Sequence, residues 1–326
     1  MEPVDRRTFL GAVAGATALG SLEVASTPLR VGAATRSAVF ISTWPHGKPA
    51  NEQAAQVYVS GGSLLDAVEK GINVTENDPE ITSVGYGGLP NAEGEVELDA
   101  AIMDGTRHRA GAICNLHTIK NPISVARQVL EKTRHTTMAG AGALRFAIAM
   151  GFVPQQLLTD KALDAWLKWK NTPDHRTFWI DGENHDTIGM LGANGSHVVS
   201  GCSTSGLAWK IPGRVADSPL VGCGVFADDN AGAASATGDG DVMANYCTSA
   251  RIVFQMERGL HPQEACEEVL RQMVRTNPAT KQTQAAVIAI TPSGEIGAAA
   301  MNAATKFQYA LWRNGLSSLV DSAVVF

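Results

Sequence analysis

Apolar positions recur at helical spacing in several blocks of the chain. After Ser63, the residues Leu64, Leu65, Val68 and Ile72 lie on one helical face, with Ser63 placed to cap it. Asn121-Pro122 reads as a cap and first turn for the helix ISVARQVLEK. A Gly/Ala-rich amphipathic helix is predicted over 137–150, stopped by Gly151, and Thr159 caps another that ends near Lys170. Two more helices, over 241–258 and 262–275, are separated by Gly259. Strand patterns occupy 38–42, 197–205, 285–290 and 296–301. The last two are joined by Thr-Pro-Ser-Gly, a turn sequence, and 306–312 alternates apolar and polar as a half-buried strand does. Strands and helices are grouped rather than strictly alternating. This predicts an α+β layered fold, not a doubly wound parallel sheet. Residues 171–186 break the pattern as a polar, Pro- and Gly-containing linker. The chain then turns apolar at Thr187-Ile188-Gly189-Met190.

Composition narrows this picture. A hydrophobic fraction of 44% with 18% charged residues describes a chain that buries a sizeable core, which excludes disorder. The net charge of -6, with no Lys/Arg block, gives no footprint for nucleic acid. Five cysteines without a CxxC pair, and eight histidines without ligand spacing, suggest no metal site. At the start, Arg6-Arg7-Thr8-Phe9-Leu10 precedes an apolar stretch of about a dozen residues, too short to span a bilayer. It resembles a twin-arginine signal, the alternative being an ordinary Sec signal or a lipoprotein-like leader. Residues 1–26 are accordingly read as a signal peptide with an approximate boundary, and the protein as periplasmic or otherwise exported. No later apolar run is long enough for a transmembrane helix, so the mature form is expected to have no membrane partner.

The chemistry concentrates around His185-Asp186-Thr187-Ile188-Gly189. A threonine hydroxyl is a poor nucleophile unless a base takes its proton. An N-terminal threonine carries that base itself, as an α-amine whose pKa of about 7.7–8.0 suits neutral pH. An internal threonine acquires the amine if its hydroxyl attacks the preceding carbonyl and the resulting ester hydrolyses. Asp186 can assist that cut, and Gly189 lets backbone approach closely where a side chain would block it. The rival reading of this short motif is a polar loop entering a strand.

Further blocks follow in order. Cys202-Ser203-Thr204-Ser205-Gly206, Gly213-Arg214-Val215-Ala216-Asp217-Ser218-Pro219, Ala227-Asp228-Asp229 and Ala236-Thr237-Gly238-Asp239-Gly240 lie downstream. Ser42-Thr43-Trp44, Ser83 to Gly88, Leu98 to Asp104 and His117 to Pro122 lie upstream. Together, over roughly 37–310, they resemble the glycosylasparaginase (aspartylglucosaminidase) family of N-terminal nucleophile hydrolases. The resemblance implies a four-layer αββα sandwich. It also implies autocleavage between Asp186 and Thr187 into an α subunit, 27–186, and a β subunit, 187–326, paired as an αβ heterodimer, with a dimer of such pairs as its further assembly. Thr187 would be the nucleophile and Thr204 would tune it. Arg214 would clamp the α-carboxylate of a small-molecule substrate and Asp217 its α-ammonium. Thr237 and Gly238 would form the oxyanion hole. Gly240, Trp44 and Ser83 would line the substrate or leaving-group side. No cofactor and no metal are required. The reaction implied is hydrolysis of the β-amide of a glycosylated asparagine, to aspartate and a glycosylamine.

Each role has a structural rival: Arg214 and Asp217 as a surface ion pair, Trp44 as core packing, Thr237-Gly238 as a turn. Two departures stand out. Leu191 to Ser196 is Gly-rich, and Ala216 replaces the usual Gly, where its methyl is expected to press on the Arg214/Asp217 clamp. The nearest functional alternative is an L-asparaginase or β-aspartyl peptidase of the same fold. The alternative from another class is an exported binding protein without catalysis, which would remain one intact chain.

Overall fold

The structure is a computed structural model that describes residues 37–173, 186–302 and 306–326. The signal-peptide segment and most of the 171–186 linker, His185 included, lie outside the described residues. Strand β1 (Val39–Thr43) leads into helices α1 (Gly47–Val59) and α2 (Leu64–Asn77). Strands β2 (Leu98–Asp104) and β3 (Arg109–Leu116) follow, then α3 (Pro122–Lys132), β4 (Thr137–Ala139), α4 (Gly140–Ala149) and α5 (Asp160–Lys170). After the linker come strands β5 (Ile188–Ala193), β6 (Val198–Thr204), β7 (Val225–Asp228) and β8 (Gly232–Gly238). Helices α6 (Gly240–Asn245), α7 (Thr248–Glu257) and α8 (Pro262–Thr276) precede β9 (Ala285–Ile290), β10 (Ile296–Met301), β11 (Gln308–Arg313), β12 (Leu316–Asp321) and β13 (Ala323–Val324).

The caps sit where the sequence places them. Ser63 accepts from the Asp66 amide while Asp66 reaches back to the Ser63 amide, a reciprocal capping box. Pro122 opens α3, and Thr159 accepts from the Ala162 amide at the start of α5. Two readings need correction. The helix expected over 137–150 begins only at Gly140, because 137–139 pair in parallel with β3. The single helix expected over 241–258 is two, broken at Cys247, whose backbone is left-handed with φ 48°.

An eight-stranded sheet has the order β12-β11-β1-β5-β6-β2-β3-β4, and a five-stranded sheet the order β13-β10-β9-β8-β7. The fold is therefore α+β. Three large apolar clusters make up most of the core among the described residues. Helices α1 to α4 supply residues such as Tyr58, Val68, Ile72, Ile123 and Leu130, which pack on Phe40, Ile102, Ile113 and Met190 of the larger sheet. Ile41, Met103, Leu191 and Val198 meet Ala233, Ala286, Ile288 and Ala298 between the sheets. Ala234, Val287 and Ala299, on the far side of the smaller sheet, meet Ile252, Val253, Val269 and Leu270 of α7 and α8. Alternation along the strands produces this division, since successive side chains point to opposite faces. Among the described residues, no helix is long and apolar enough to cross a membrane.

Candidate active site

Strand register builds the site. Ile188 pairs with Ser203 across β5 and β6, so Thr187, one residue earlier, falls opposite Thr204. Thr204 pairs in turn with Asp99 on β2. Thr187, Thr204 and Asp99 thus form one row across three adjacent strands, and residues in such a row share a face of the sheet. All three are buried.

The hydroxyl of Thr187 donates to Oγ1 of Thr204 at 3.1 Å. Thr204 has one proton, which it donates to the Ser83 carbonyl at 3.3 Å, and its oxygen also accepts from the Gly206 amide at 2.9 Å. Its donor is committed, so Thr204 can only accept from Thr187. Thr43 fixes the backbone beside them. Its hydroxyl donates to the Thr187 carbonyl and accepts from the Gly189 amide at 2.9 Å. Gly189 admits the second sheet, for a Cβ there would stand 2.3 Å from Ser235 Oγ on β8. The close approach expected at Gly189 is therefore present.

Thr187, Asp186, Thr204, Arg214, Asp217, Gly238 and Gly240 line one small cleft, together with Asp99 and Ser218. Asp217 is buried. Its Oδ2 has no hydrogen-bond partner, and Ser218 Oγ lies 3.4 Å from its Oδ1. Burial lifts its pKa to about 7, against the opposing pull of the Arg214 guanidinium. Arg214 is not ion-paired with Asp217 as the rival reading required. It grips the exposed Asp241, at the start of α6, with Nη2 at 2.6 Å and Nε at 3.2 Å from the same oxygen. Gly240 leaves room beside Asp217, because a Cβ there would stand 2.4 Å from Asp217 Oδ1 and 2.8 Å from the Ala216 Cβ. The Ala216 methyl therefore crowds toward Gly240, whose missing side chain absorbs it.

Gly238 closes β8 with φ 113°, a conformation that favours glycine, and a Cβ there would stand 2.3 Å from the Gln284 carbonyl. Thr237 is buried and accepts from the Trp44 indole Nε1 at 3.1 Å. Trp44 is itself buried, edge-on to Phe307 with ring centroids 5.0 Å apart. It stands behind Thr237 rather than along the cleft. Ser83 meets the site through its carbonyl on Thr204.

Two participants carry no role in the sequence reading: Thr43 and Asp99 lie in the blocks Ser42-Thr43-Trp44 and Leu98 to Asp104 without one. Beneath the cleft, the ammonium of buried Lys210 lies 3.7 Å from Glu97, 3.9 Å from Asp99 and 3.3 Å from the Glu97 carbonyl. Glu97 also accepts from the Gly213 amide at 3.0 Å, and Asp99 from the Asn115 amide at 2.7 Å. Burial raises the Asp99 pKa, while Lys210 and the Asn115 amide pull it down. A Cβ on Gly206 would stand 2.9 Å from Lys210 Nζ and 3.3 Å from Arg214 Nη1, so both cations flank the turn that supports Thr204.

Comparison with known proteins shows the family. The sequence profile of the asparaginase family matches residues 46–316. An N(4)-(beta-N-acetylglucosaminyl)-L-asparaginase from Elizabethkingia miricola is 41% identical over 307 residues, covering 90% of this chain and 88% of its own. Proteins of that name from Rattus norvegicus and Mus musculus are 41% and 40% identical. Each alignment covers 83% of this chain and 86% of the relative. The chain belongs to the asparaginase family, within its glycosylasparaginase group.

Proposed function

We propose that the chain is a self-processing amidohydrolase that cleaves the β-amide of N(4)-(β-N-acetylglucosaminyl)-L-asparagine-type substrates. One observation carries the reading. The threonine at the start of β5 donates its hydroxyl to a second threonine whose own proton is already committed, on the floor of a cleft that also holds Arg214 and Asp217. Family membership and the names of the relatives support it.

In the proposed sequence, Thr187 first attacks the Asp186 carbonyl, and hydrolysis of the ester frees the Thr187 amine. That amine then takes the Thr187 hydroxyl proton as the oxygen adds to the substrate's side-chain carbonyl. The oxyanion is received by the Thr237 hydroxyl and the Gly238 amide. Collapse expels the glycosylamine, which takes the proton back from the Thr187 α-ammonium, and water hydrolyses the β-aspartyl ester to release aspartate. Arg214 presents a planar fork to the α-carboxylate, and the unpartnered oxygen of Asp217 receives the α-ammonium. Substrates therefore need both α groups free. Trp44 orients Thr237 and Ser83 orients Thr204, so their roles are positional.

The three clusters fit a four-layer αββα sandwich, α1 to α4 covering one sheet and α7 and α8 the other. Export to the periplasm on the twin-arginine signal at Arg6-Arg7 belongs to the same proposal and rests on that sequence alone. Replacing both arginines by lysine should strand the protein in the cytoplasm.

Intact mass and N-terminal sequencing test the cut. Two fragments are expected, one beginning Thr-Ile-Gly-Met, and Thr187→Ala should stay whole and inactive. Release of aspartate from a glycosylated asparagine, asparagine and a β-aspartyl dipeptide then ranks the leaving groups. A single inert wild-type chain would sink the proposal, and a preference for the dipeptide would reassign the substrate.

A further inference from the structure

The five thiols are of two kinds. Cys114, Cys202, Cys223 and Cys266 are buried, and burial raises the pKa of each, Cys114 and Cys223 to about 12. Buried thiols carry little thiolate, so only an exposed one can open an exchange. Cys247 is exposed, at the joint between α6 and α7, and Cys223 lies beneath it in the loop between Asp217 and β7. Their sulfurs converge on one atom: Cys223 Sγ is 3.5 Å and Cys247 Sγ 4.0 Å from the Ala244 carbonyl oxygen. The neighbouring Cys247 adds to burial in pushing the Cys223 thiol up. The backbones that carry them are joined. The Ser249 amide and hydroxyl both donate to the Cys223 carbonyl, at 3.2 and 2.7 Å, and the Ala250 amide donates to the Gly222 carbonyl at 2.8 Å.

Both segments serve the cleft. The loop starts at Asp217, whose carbonyl accepts from the Leu220 and Gly224 amides. Helix α6 starts at Gly240 and Asp241, which abut Asp217 and hold Arg214. A covalent link between Cys223 and Cys247 would tie the far ends of the two segments that form the clamp wall.

We propose that Cys223 and Cys247 are a disulfide-forming pair that clasps this wall when the protein meets a small-molecule disulfide. The exposed Cys247 thiolate attacks one sulfur of the oxidant RSSR, forming a mixed disulfide and releasing RS⁻. The Cys223 thiol loses its proton to solvent and displaces the second RS⁻ from Cys247. The protein gives up two hydrogens and two electrons, and the oxidant becomes two thiols. Cross-linking positions 223 and 247 restricts the unfolded chain and so stabilises the folded one. The inference does not depend on which amide the enzyme cleaves.

Oxidised glutathione is the probe. Purified processed protein is incubated with it or with a reductant, the remaining thiols are alkylated in denaturant, and a non-reducing digest is read by mass spectrometry. A Cys223–Cys247 linked peptide is expected, with Cys114, Cys202 and Cys266 recovered alkylated. The apparent Tm should rise by several degrees, and reductant should reverse the rise. Cys247→Ser should abolish both the link and the Tm shift, whereas Cys223→Ser should hold glutathione on Cys247. Wild-type protein that keeps glutathione on Cys247 with Cys223 alkylated, or that shows neither thiol oxidised, would overturn the proposal.

Discussion

Replacing Asp217 by Asn separates what that side chain does for a ligand from what it does to the fold. Its carboxyl is buried, one oxygen lacks a partner, and its pKa rises from 3.8 to about 7, chiefly by desolvation. The folded state therefore holds a proton that the unfolded chain releases at lower pH. Stability from this group is complete below the unfolded pKa and is lost as pH rises through about 7. At about 1.36 kcal/mol per pKa unit, ionisation between pH 5 and 8 withdraws up to roughly 3 kcal/mol. Asparagine keeps the shape without the charge. Relative to wild type, D217N should gain roughly 1–3 kcal/mol on going from pH 5 to pH 8, seen as an apparent Tm gain of roughly 2–6 °C. Both proteins should first be shown by mass to be in the same processed state and then scanned at one rate. Catalysis should move the other way. Without an anion for the α-ammonium, kcat/KM should fall by roughly 100-fold or more, mainly through KM. The wild-type KM should itself rise as pH drops below about 7. A D217N protein with the same relative Tm at both pH values, or with an unchanged KM, would refute this account of the buried carboxyl.

Three other substitutions probe the neighbouring parts. Thr204→Val removes the acceptor of the Thr187 hydroxyl and leaves the Gly206 amide unpartnered. Steady-state kinetics should show kcat lower by roughly 10- to 100-fold, the equivalent of about 1.4–3 kcal/mol. Gly240→Ala would put a methyl 2.4 Å from Asp217 Oδ1. It should cost about 1–3 kcal/mol in denaturant titration and raise KM more than it lowers kcat. Lys210→Met would leave Glu97 and Asp99 buried without their shared cation. An apparent loss of about 3–5 kcal/mol is expected in the same titration.

What could be read from sequence depended on how local the signal was. Ser63, Pro122 and Thr159 announce α2, α3 and α5 because a cap acts within one turn. Helix α1 gave no such notice. It buries Gly47, Ala50, Asn51, Ala54, Ala55 and Tyr58, a face of small and polar residues without the Leu/Ile period that betrays a helix. Cys247 breaks α6 from α7 with a left-handed backbone that neither glycine nor proline marks. The cleft residues stood out because they fall in motifs: Thr187, Thr204, Arg214, Asp217, Gly238 and Gly240 lie in short blocks of sequence, and all six line one cleft. Asp99 and Lys210 did not, since their meeting depends on β2 pairing with β6 and on a loop returning beneath it. Asp241 escaped for a related reason. It looks like an ordinary acidic residue in a first helical turn, and only the position of Arg214 gives it a partner.

The strand order also says what the proposed cut would leave behind. Strands β1 to β4 precede Asp186, while β5, β6, β11 and β12 follow it. In the larger sheet, β1 from the first half lies between β11 and β5 of the second, and β2 pairs with β6. The halves are interleaved, not merely adjacent. Separating them would break three full ladders and open three apolar clusters to which both halves contribute. Cleavage therefore changes the end of β5 without releasing it: the Thr43 hydroxyl, on β1, still bonds the Thr187 carbonyl and the Gly189 amide. The tether that orients the nucleophile comes from the other fragment, so the fragments should co-elute in native size exclusion and separate only in denaturant. Activity should vanish when they part, because Thr187 would lose Thr43 at the same step. Fragments that separate under native conditions while keeping activity would show that β1 does not hold the nucleophile.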